Sequence, residues 1–337
     1  MKNLRTLLLL RCTEKQYADS FCKKGNIKFN TPSAWIKIEK EYGKGRGDAN
    51  EGVFSCHEQT DAISIMQSTK LRQDIECYTK ERITYLRSED ILDLPCFCLY
   101  GLHNTNFTKS SIDKSGIEHH IGCIAKEYFE DFGNNITKED IDKILEENQP
   151  VLVMINNPHE FFNRVREFFI GLGAKPEEIL ISPVIYMDKK QPFYCNLKYP
   201  HELFLKDLEF SKQSEVRIII NTKNKKVLDY MKDNNNIVNI GNLSDITNIT
   251  KYYFDDMKLD LSGNSLLYSL PEPEYTPLED YSFEELLAIA HQVYRGDAPG
   301  VDKPEEINSI INEIKKIIKG KYNISVNIEK NNITIHY

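Results

Sequence analysis

A chain of 337 residues carrying 51 acidic against 43 basic side chains has a net charge of −8, which argues against broad nonspecific binding to nucleic acid, an activity that relies on neutralising phosphates. It is long enough for one large domain with an appendage, and to bury a core without disulfides. Eight cysteines at irregular spacings and a leading apolar run that Arg11 cuts short predict a cytoplasmic protein with reduced thiols, no secretory leader and no membrane association.

The first predicted strand is Leu4 to Cys12, and Thr13-Glu14-Lys15-Gln16 opens a helix through Tyr17, Ala18 and Phe21 that Gly25 closes. Ile27-Lys28-Phe29 alternates as a strand, and Trp35, the sole tryptophan, starts a short helical piece. Gly43 to Gly52 is rich in glycine and charge, and reads either as a flexible loop drawn over a site or as a solvated connector. Asp61 to Arg87 suggests a surface hairpin, with Ala62 to Met66 and Arg82 to Leu86 as its alternating runs. Leu94 to Leu102 returns to core, with Cys96, Cys98 and Tyr100 on one face and Phe97, Leu99 and Gly101 on the other. The cysteine spacing there is not that of a zinc knuckle, so these thiols are expected to pack rather than ligate.

His119 to Ala125 is a further strand, whose adjacent histidines point opposite ways and so cannot easily share a metal. Thr137 to Asn148 reads as an acidic amphipathic helix, Val151 to Ile155 as a buried strand, and the stripe from Phe161 to Leu172 as a helix opened by Asn157-Pro158. Ile179 to Met187 is a strand that Pro183 places at an edge or a bulge. Asn224 to Asn248 suggests a surface strand pair, and Ile249 to Leu261 is extended. Three prolines within residues 271–277 mark a boundary between a body, residues 1–270, and a C-terminal helix and strand appendage, residues 278–337. The appendage holds two helices, Ser282 to Tyr294 and Pro304 to Lys319, and two closing strands. The fold class expected is mixed α/β (α+β), a central sheet of mostly short strands with flanking helices.

The chemistry is centred on Lys206 to Asn221, where a strongly apolar strand follows a polar cluster. Ile218-Ile219-Ile220 marks a buried central strand, and Gln213, Glu215 and Arg217, two residues apart, are expected on one face of it. A carboxylate beside such a run needs a partner or a function. Glu215 and Arg217 therefore read as a structural ion pair at the strand's end or as members of a site.

The triplet Gln213-Ser214-Glu215, with Arg11 near the end of the first strand, resembles the Arg … Gln/Glu-x-Glu pattern of mono-ADP-ribosyltransferases. The wider chain, over roughly residues 5 to 222, is similar to a family of bacterial proteins of which several are associated with phage defence. That family shares, in order, segments standing here as Lys24 to Phe29, Arg46 to Gly52, Pro95 to Tyr100 and Glu215-Val216-Arg217. The transferase pattern usually has Ser-Thr-Ser or an aromatic-His element on its second strand, where this chain has Cys96 to Tyr100. The resemblance implies an ADP-ribosyltransferase-like fold and an effector of anti-phage defence, abortive infection or a toxin system. It implies NAD as substrate, with Glu215 stabilising the cation that develops on the ribose. Gln213 would orient the acceptor, Arg11 would hold a phosphate, and Tyr100 or Phe97 would hold the nicotinamide ring. The acceptor would be a protein or nucleic acid, and the C-terminal appendage would meet a regulatory partner. The other reading is a noncatalytic module binding a nucleotide or a phage component. A nuclease is disfavoured by the lack of clustered Asp, Glu and His at metal spacing, and no metal site is expected.

Overall fold

The computed structural model describes residues 4–42, 48–61, 74–112, 118–132, 136–194, 199–252, 254–255, 257–262, 266–268, 304–322, 325–329 and 332–336, with single residues or pairs between 64 and 69, at 114 and 116, and between 286 and 293. The chain divides into two compact units, one of Met1–Glu51, Asp93–Tyr186 and Lys206–Glu272, the other of Gly52–Leu92, Met187–Leu205 and Pro273–Tyr337. The 271–277 boundary expected from its prolines lies outside the described residues.

The first unit is built on a seven-stranded antiparallel sheet, so the chain is mixed α/β as expected. Its strands are β1 (Leu4–Glu14), β2 (Cys96–His103), β3 (Pro150–Ile155), β4 (Ile179–Pro183), β5 (Glu215–Ile220), β6 (Thr247–Lys251) and β7 (Leu266–Tyr268). Six lie in the order β4-β5-β2-β1-β3-β6, while β7 pairs with the N-terminal end of β1. The apolar strands β1 and β5 thus share one sheet with only β2 between them. Pro183 ends β4 on the sheet's outer edge, the position that tolerates a residue without an N–H.

Period-2 alternation sorts the strands' side chains to two cores. Leu9, Phe97, Leu99, Val153, Val216 and Ile218 join the cluster formed by α1 (Lys15–Lys24), by α4 (Pro158–Gly171) with its Phe161, Phe162 and Phe169, and by α5 (Lys225–Asp233). Leu8, Leu10, Tyr100, Leu102 and Leu152 face the other way, to Tyr128 and Phe129 of α3 (Lys126–Phe132). Between β1 and α3 in the chain stands α2 (Pro32–Tyr42), which carries Trp35. Gly25 closes α1 in the left-handed conformation at φ 64°. A Cβ there would stand 2.0 Å from the carbonyl oxygen of Gly241, so this close backbone approach admits only glycine.

Several expected elements are replaced by others. Thr137 to Asn148 forms two short 3-10 turns, Ile141–Lys143 and Glu146–Asn148, instead of a helix. The Gln149 amide donates to the Ile141 and Ile144 carbonyls, and Pro150 then starts β3. The strand pair read from Asn224 onward is instead α5, whose N-cap Asn224 accepts from the Lys226 N–H and whose buried Val227 and Met231 are one turn apart. Only after the left-handed Asn235 and Asn236 does a short strand, Ile237–Asn239, pair with Asn26–Lys28.

In the second unit, Ile75–Lys80 and Ile83–Ser88 form a hairpin, Val53–Glu58 pairs with the other edge of Ile83–Ser88, and Phe193–Tyr194 pairs with Val53–Glu58 in turn. The expected hairpin is therefore made by the 75–80 and 83–88 strands, whereas Ser64 and Ile65 are helical, Ile65 bonding back to the Asp61 carbonyl. At the C-terminal end of the chain α6 (Pro304–Tyr322) precedes two paired strands, Ser325–Glu329 and Asn332–His336. Its Ile311, Ile314 and Ile318 are buried with Leu286, Ala290 and Val293.

Candidate functional site

The site arises where two neighbouring strands part. β1 and β2 pair up to Leu10 with Tyr100, yet β1 runs on to Glu14 along β3 and β2 begins four residues earlier, at Cys96, along β5. Among the described residues the ladder between Arg11–Glu14 and Cys96–Leu99 is open. Asn30 closes its lower end by exchanging two backbone hydrogen bonds with Cys96, at 2.8 and 2.7 Å. The Gly101 N–H bonds the Ser214 carbonyl on the β5 side, so alternation turns the Cys98 peptide group toward the open gap. A cavity of about 430 Å³ occupies this gap, within the ~300–1,000 Å³ range of small-molecule sites. Arg11, Lys28, Lys206 and Arg217 line it against Glu14, Glu51 and Glu215, which makes the lining net positive in a chain of charge −8.

The β5 wall is a closed network of charges. Glu215 Oε1 accepts from Arg217 Nε at 2.7 Å and its Oε2 from Lys206 Nζ at 2.8 Å. Arg217 spends its other edge on Glu51, donating from Nη1 and Nη2 to the two carboxylate oxygens, both at 2.7 Å. Lys206 also donates to Gln213 Oε1 at 2.8 Å, and the Arg217 guanidinium lies 5.1 Å from the centre of the Trp35 ring. All five polar residues are buried, Arg217 completely. Burial pushes the Glu215 carboxyl up, but the adjacent Arg217 and Lys206 charges outweigh it and hold the group well below the carboxylate range. The same pairs reverse the effect of burial on the cations, keeping Arg217 and Lys206 protonated. The Cys98 thiol, beside Glu215, is pushed up first by burial and then by that charge, so it stays protonated.

The β1 wall is different. Arg11 stacks on aromatic rings, its guanidinium carbon 4.7 Å from the Phe97 centroid and 5.7 Å from that of Phe21. Among the described residues no carboxylate stands within ion-pair distance of it. Arg11 is half-buried, and its desolvation lowers its pKa to about 10.

The residues expected at the site meet there by routes that differ in part from the expected one. Arg11, Phe97, Tyr100, Gln213 and Glu215 all line the cavity. Gln213 is not on the strand with Glu215, however. It ends a 3-10 turn, Leu208–Gln213, and Ser214 turns the chain through φ 40° before β5 begins. It reaches Glu215 through their shared partner Lys206 rather than along a strand face. The two aromatic rings are both packed. Phe97 is covered by Arg11 and by Phe29 at 5.7 Å, and Tyr100 lies 4.2 Å from the Tyr128 ring, its hydroxyl pushed up to about 12 by burial.

Glu51, Lys206, Trp35 and Tyr17 were not foreseen at the site. Residues 43–47 of the glycine-rich segment lie outside the described residues, but Asp48 to Glu51 is a buried turn that presents Glu51 to Arg217, not a solvated connector. A lone glutamate among glycines carries no signal of a partner 166 residues away. Lys206 had one available sign, a lysine in the polar cluster that opens the central stretch. The side chains of His119 and His120 lie outside the described residues. Among the described residues no group of three or more His, Cys, Asp or Glu could hold a metal ion, and no helix is long and apolar enough to cross a membrane. No protein-family model, curated protein or solved structure matches this chain at a significant level.

Proposed function

We propose that the chain is an ADP-ribosyltransferase-like enzyme that takes NAD in the cleft between β1 and β2, as an effector in bacterial anti-phage defence or a toxin system. The observation that carries this reading is that a half-buried cation without an ion-pair partner among the described residues, Arg11, and an ionised carboxylate, Glu215, line one cavity although about two hundred residues separate them in the chain. Arg11 supplies charge-assisted bonds to the pyrophosphate. In the reaction the bond between the ribose C1′ and the nicotinamide nitrogen breaks, and its electron pair leaves with neutral nicotinamide. The ribose carbon becomes cationic and is captured by an acceptor nucleophile that then loses its proton. An ionised Glu215 lowers the energy of that cation by preorganised electrostatics, and the acceptor is a protein or nucleic acid.

A second reading is favoured by a specific observation, namely that both oxygens of Glu215 are already engaged by Arg217 and Lys206. In that reading the cleft binds a nucleotide or a phage component without chemistry, and Glu215 is structural.

Nicotinamide release from NAD and thermal stability, measured together for wild type and Glu215→Gln, separate the two. The transferase reading expects NAD consumption that falls about a hundredfold or more in the variant, the scale of losing one preorganised electrostatic contact. A wild type that never consumes NAD with candidate acceptors present, beside a variant with a markedly lowered melting temperature, leaves the binding reading.

A further inference from the structure

The walls of the cleft bind charge, yet neither ring expected to hold a base has an open face, since Phe97 is covered by Arg11 and Phe29 and Tyr100 by Tyr128. One aromatic at the cleft differs. Tyr17, in the first turn of α1, is 57 % exposed, and of the exposed large apolar side chains among the described residues it alone lines the cavity. It stands four residues before Phe21, one helical turn, so the two rings are neighbours on one helix face about 5–6 Å apart at their Cβ atoms. Phe21 is buried and carries the Arg11 guanidinium, while Tyr17 is its solvent-side neighbour.

We infer that Tyr17 is the stacking platform for the base of a nucleotide whose phosphate is held by Arg11, an assignment that rests on the reading that this cleft takes a nucleotide. Phe21, against which the Arg11 guanidinium lies, stands one helical turn from Tyr17, so the ring and the cation border the same stretch of the cavity. The rim beside Tyr17 is already ordered, because the Gln16 amide donates to Asn148 Oδ1 at 2.8 Å and to Glu14 Oε2 at 3.0 Å, and both acceptor residues line the cavity. Stacking on an exposed tyrosine tolerates any base, since every base has a π-face. Tyr17 therefore contributes affinity, and the selectivity of the site lies elsewhere.

The test uses ADP-ribose as probe, titrated into the full chain by calorimetry and by the fluorescence of Trp35, the sole tryptophan, which lines the cavity. Tyr17→Phe keeps the ring and Tyr17→Leu keeps apolar bulk without a π-face. With the side chain exposed, neither is expected to disturb folding. The expected result is near-wild-type affinity for Tyr17→Phe and a loss of roughly fivefold to a hundredfold for Tyr17→Leu. Wild-type affinity in Tyr17→Leu, or an equal loss in both variants, overturns the stacking role while leaving the nucleotide cleft standing. A wild type that does not bind ADP-ribose even at millimolar concentration overturns the stacking role and the nucleotide reading together.

Discussion

The two walls of the cleft solve the same electrostatic problem in opposite ways. On the β5 side two cations and two carboxylates are buried together, with Arg217 bonded along both edges, to Glu215 through Nε and to Glu51 through its two terminal nitrogens. On the β1 side the half-buried Arg11 lies against two phenylalanine rings, with no carboxylate within ion-pair distance among the described residues. A buried charge that is paired and hydrogen-bonded belongs to the fold, whereas a half-buried one left without an anion holds a capacity that a ligand can use. The difference divides the cleft into a wall that sets shape and a wall that awaits charge.

The largest expected effect comes from breaking the saturated wall. Arg217→Met removes the cation that bridges Glu51 and Glu215 and leaves both carboxylates buried with only Lys206 nearby, at 2.8 Å from Glu215 and 4.0 Å from Glu51. Loss of one partner from a buried pair costs about 3–5 kcal/mol, so the urea midpoint of this variant should fall sharply. Exchanging Glu51 and Arg217 together for apolar residues of similar volume should cost much less, because no orphaned charge then remains. If the single and double variants unfold at the same midpoint, the wall is not an electrostatic unit.

The sequence made some of this wall legible. The apolar runs of β1 and β5 are long enough to mark two strands of one sheet, and the alternation of Cys96 to Gly101 correctly sorts Phe97 and Tyr100 to different cores. Gln213 lies off the strand, because a period-2 pattern cannot signal that Ser214 adopts a left-handed conformation. Helix α5 leaves little trace in the sequence, because only two of its nine residues, Val227 and Met231, are buried, and its remaining polarity reads as surface. The parting of β1 from β2 leaves no trace either, since every residue from Arg11 to Glu14 is compatible with a continued ladder. The opening follows from what is wedged there, Asn30 bonded to Cys96, and that contact is not local in sequence.

A second experiment sharpens the comparison by separating the acid response of a buried histidine from that of the charged wall. His103 at the end of β2 is hydrogen-bonded to Thr6 at 2.8 Å, and burial lowers its pKa from 6.5 to about 4. Its folded value lies below its unfolded one, so as pH falls below about 6.5 the unfolded chain takes up the proton first and stability declines until the folded value is passed. At pH 5 this loss amounts to about 2 kcal/mol. The carboxylate effect runs lower, as the stability from Glu215 is intact above its unfolded value of 4.5 and is lost as pH falls through its depressed folded value. Urea midpoints between pH 7 and pH 5 should therefore decline in wild type and decline less steeply in His103→Gln, where the buried His57, its pKa also lowered by desolvation, accounts for the remaining slope. An equal decline in both would assign the slope to another group.

The smallest expected change in stability, and the sharpest contrast with Arg217, belongs to Arg11. Arg11→Met keeps an unbranched apolar stem against Phe97 and Phe21 and gives up the cation–π contacts, worth roughly 0.5–2 kcal/mol, but it also removes a charge that burial disfavours, as the lowered pKa of about 10 records. The two effects oppose each other, and the midpoint should move by less than about 1 kcal/mol against the 3–5 kcal/mol expected of Arg217→Met. Affinity should respond in the opposite order. With its uncompensated cation gone, the cleft should bind ADP-ribose at least about tenfold more weakly, the scale of a charge-assisted bond of roughly 1.5–3 kcal/mol, and with a shallower dependence on salt. Should Arg11→Met prove as destabilising as Arg217→Met, Arg11 would be satisfied within the fold after all, and the two walls would be alike.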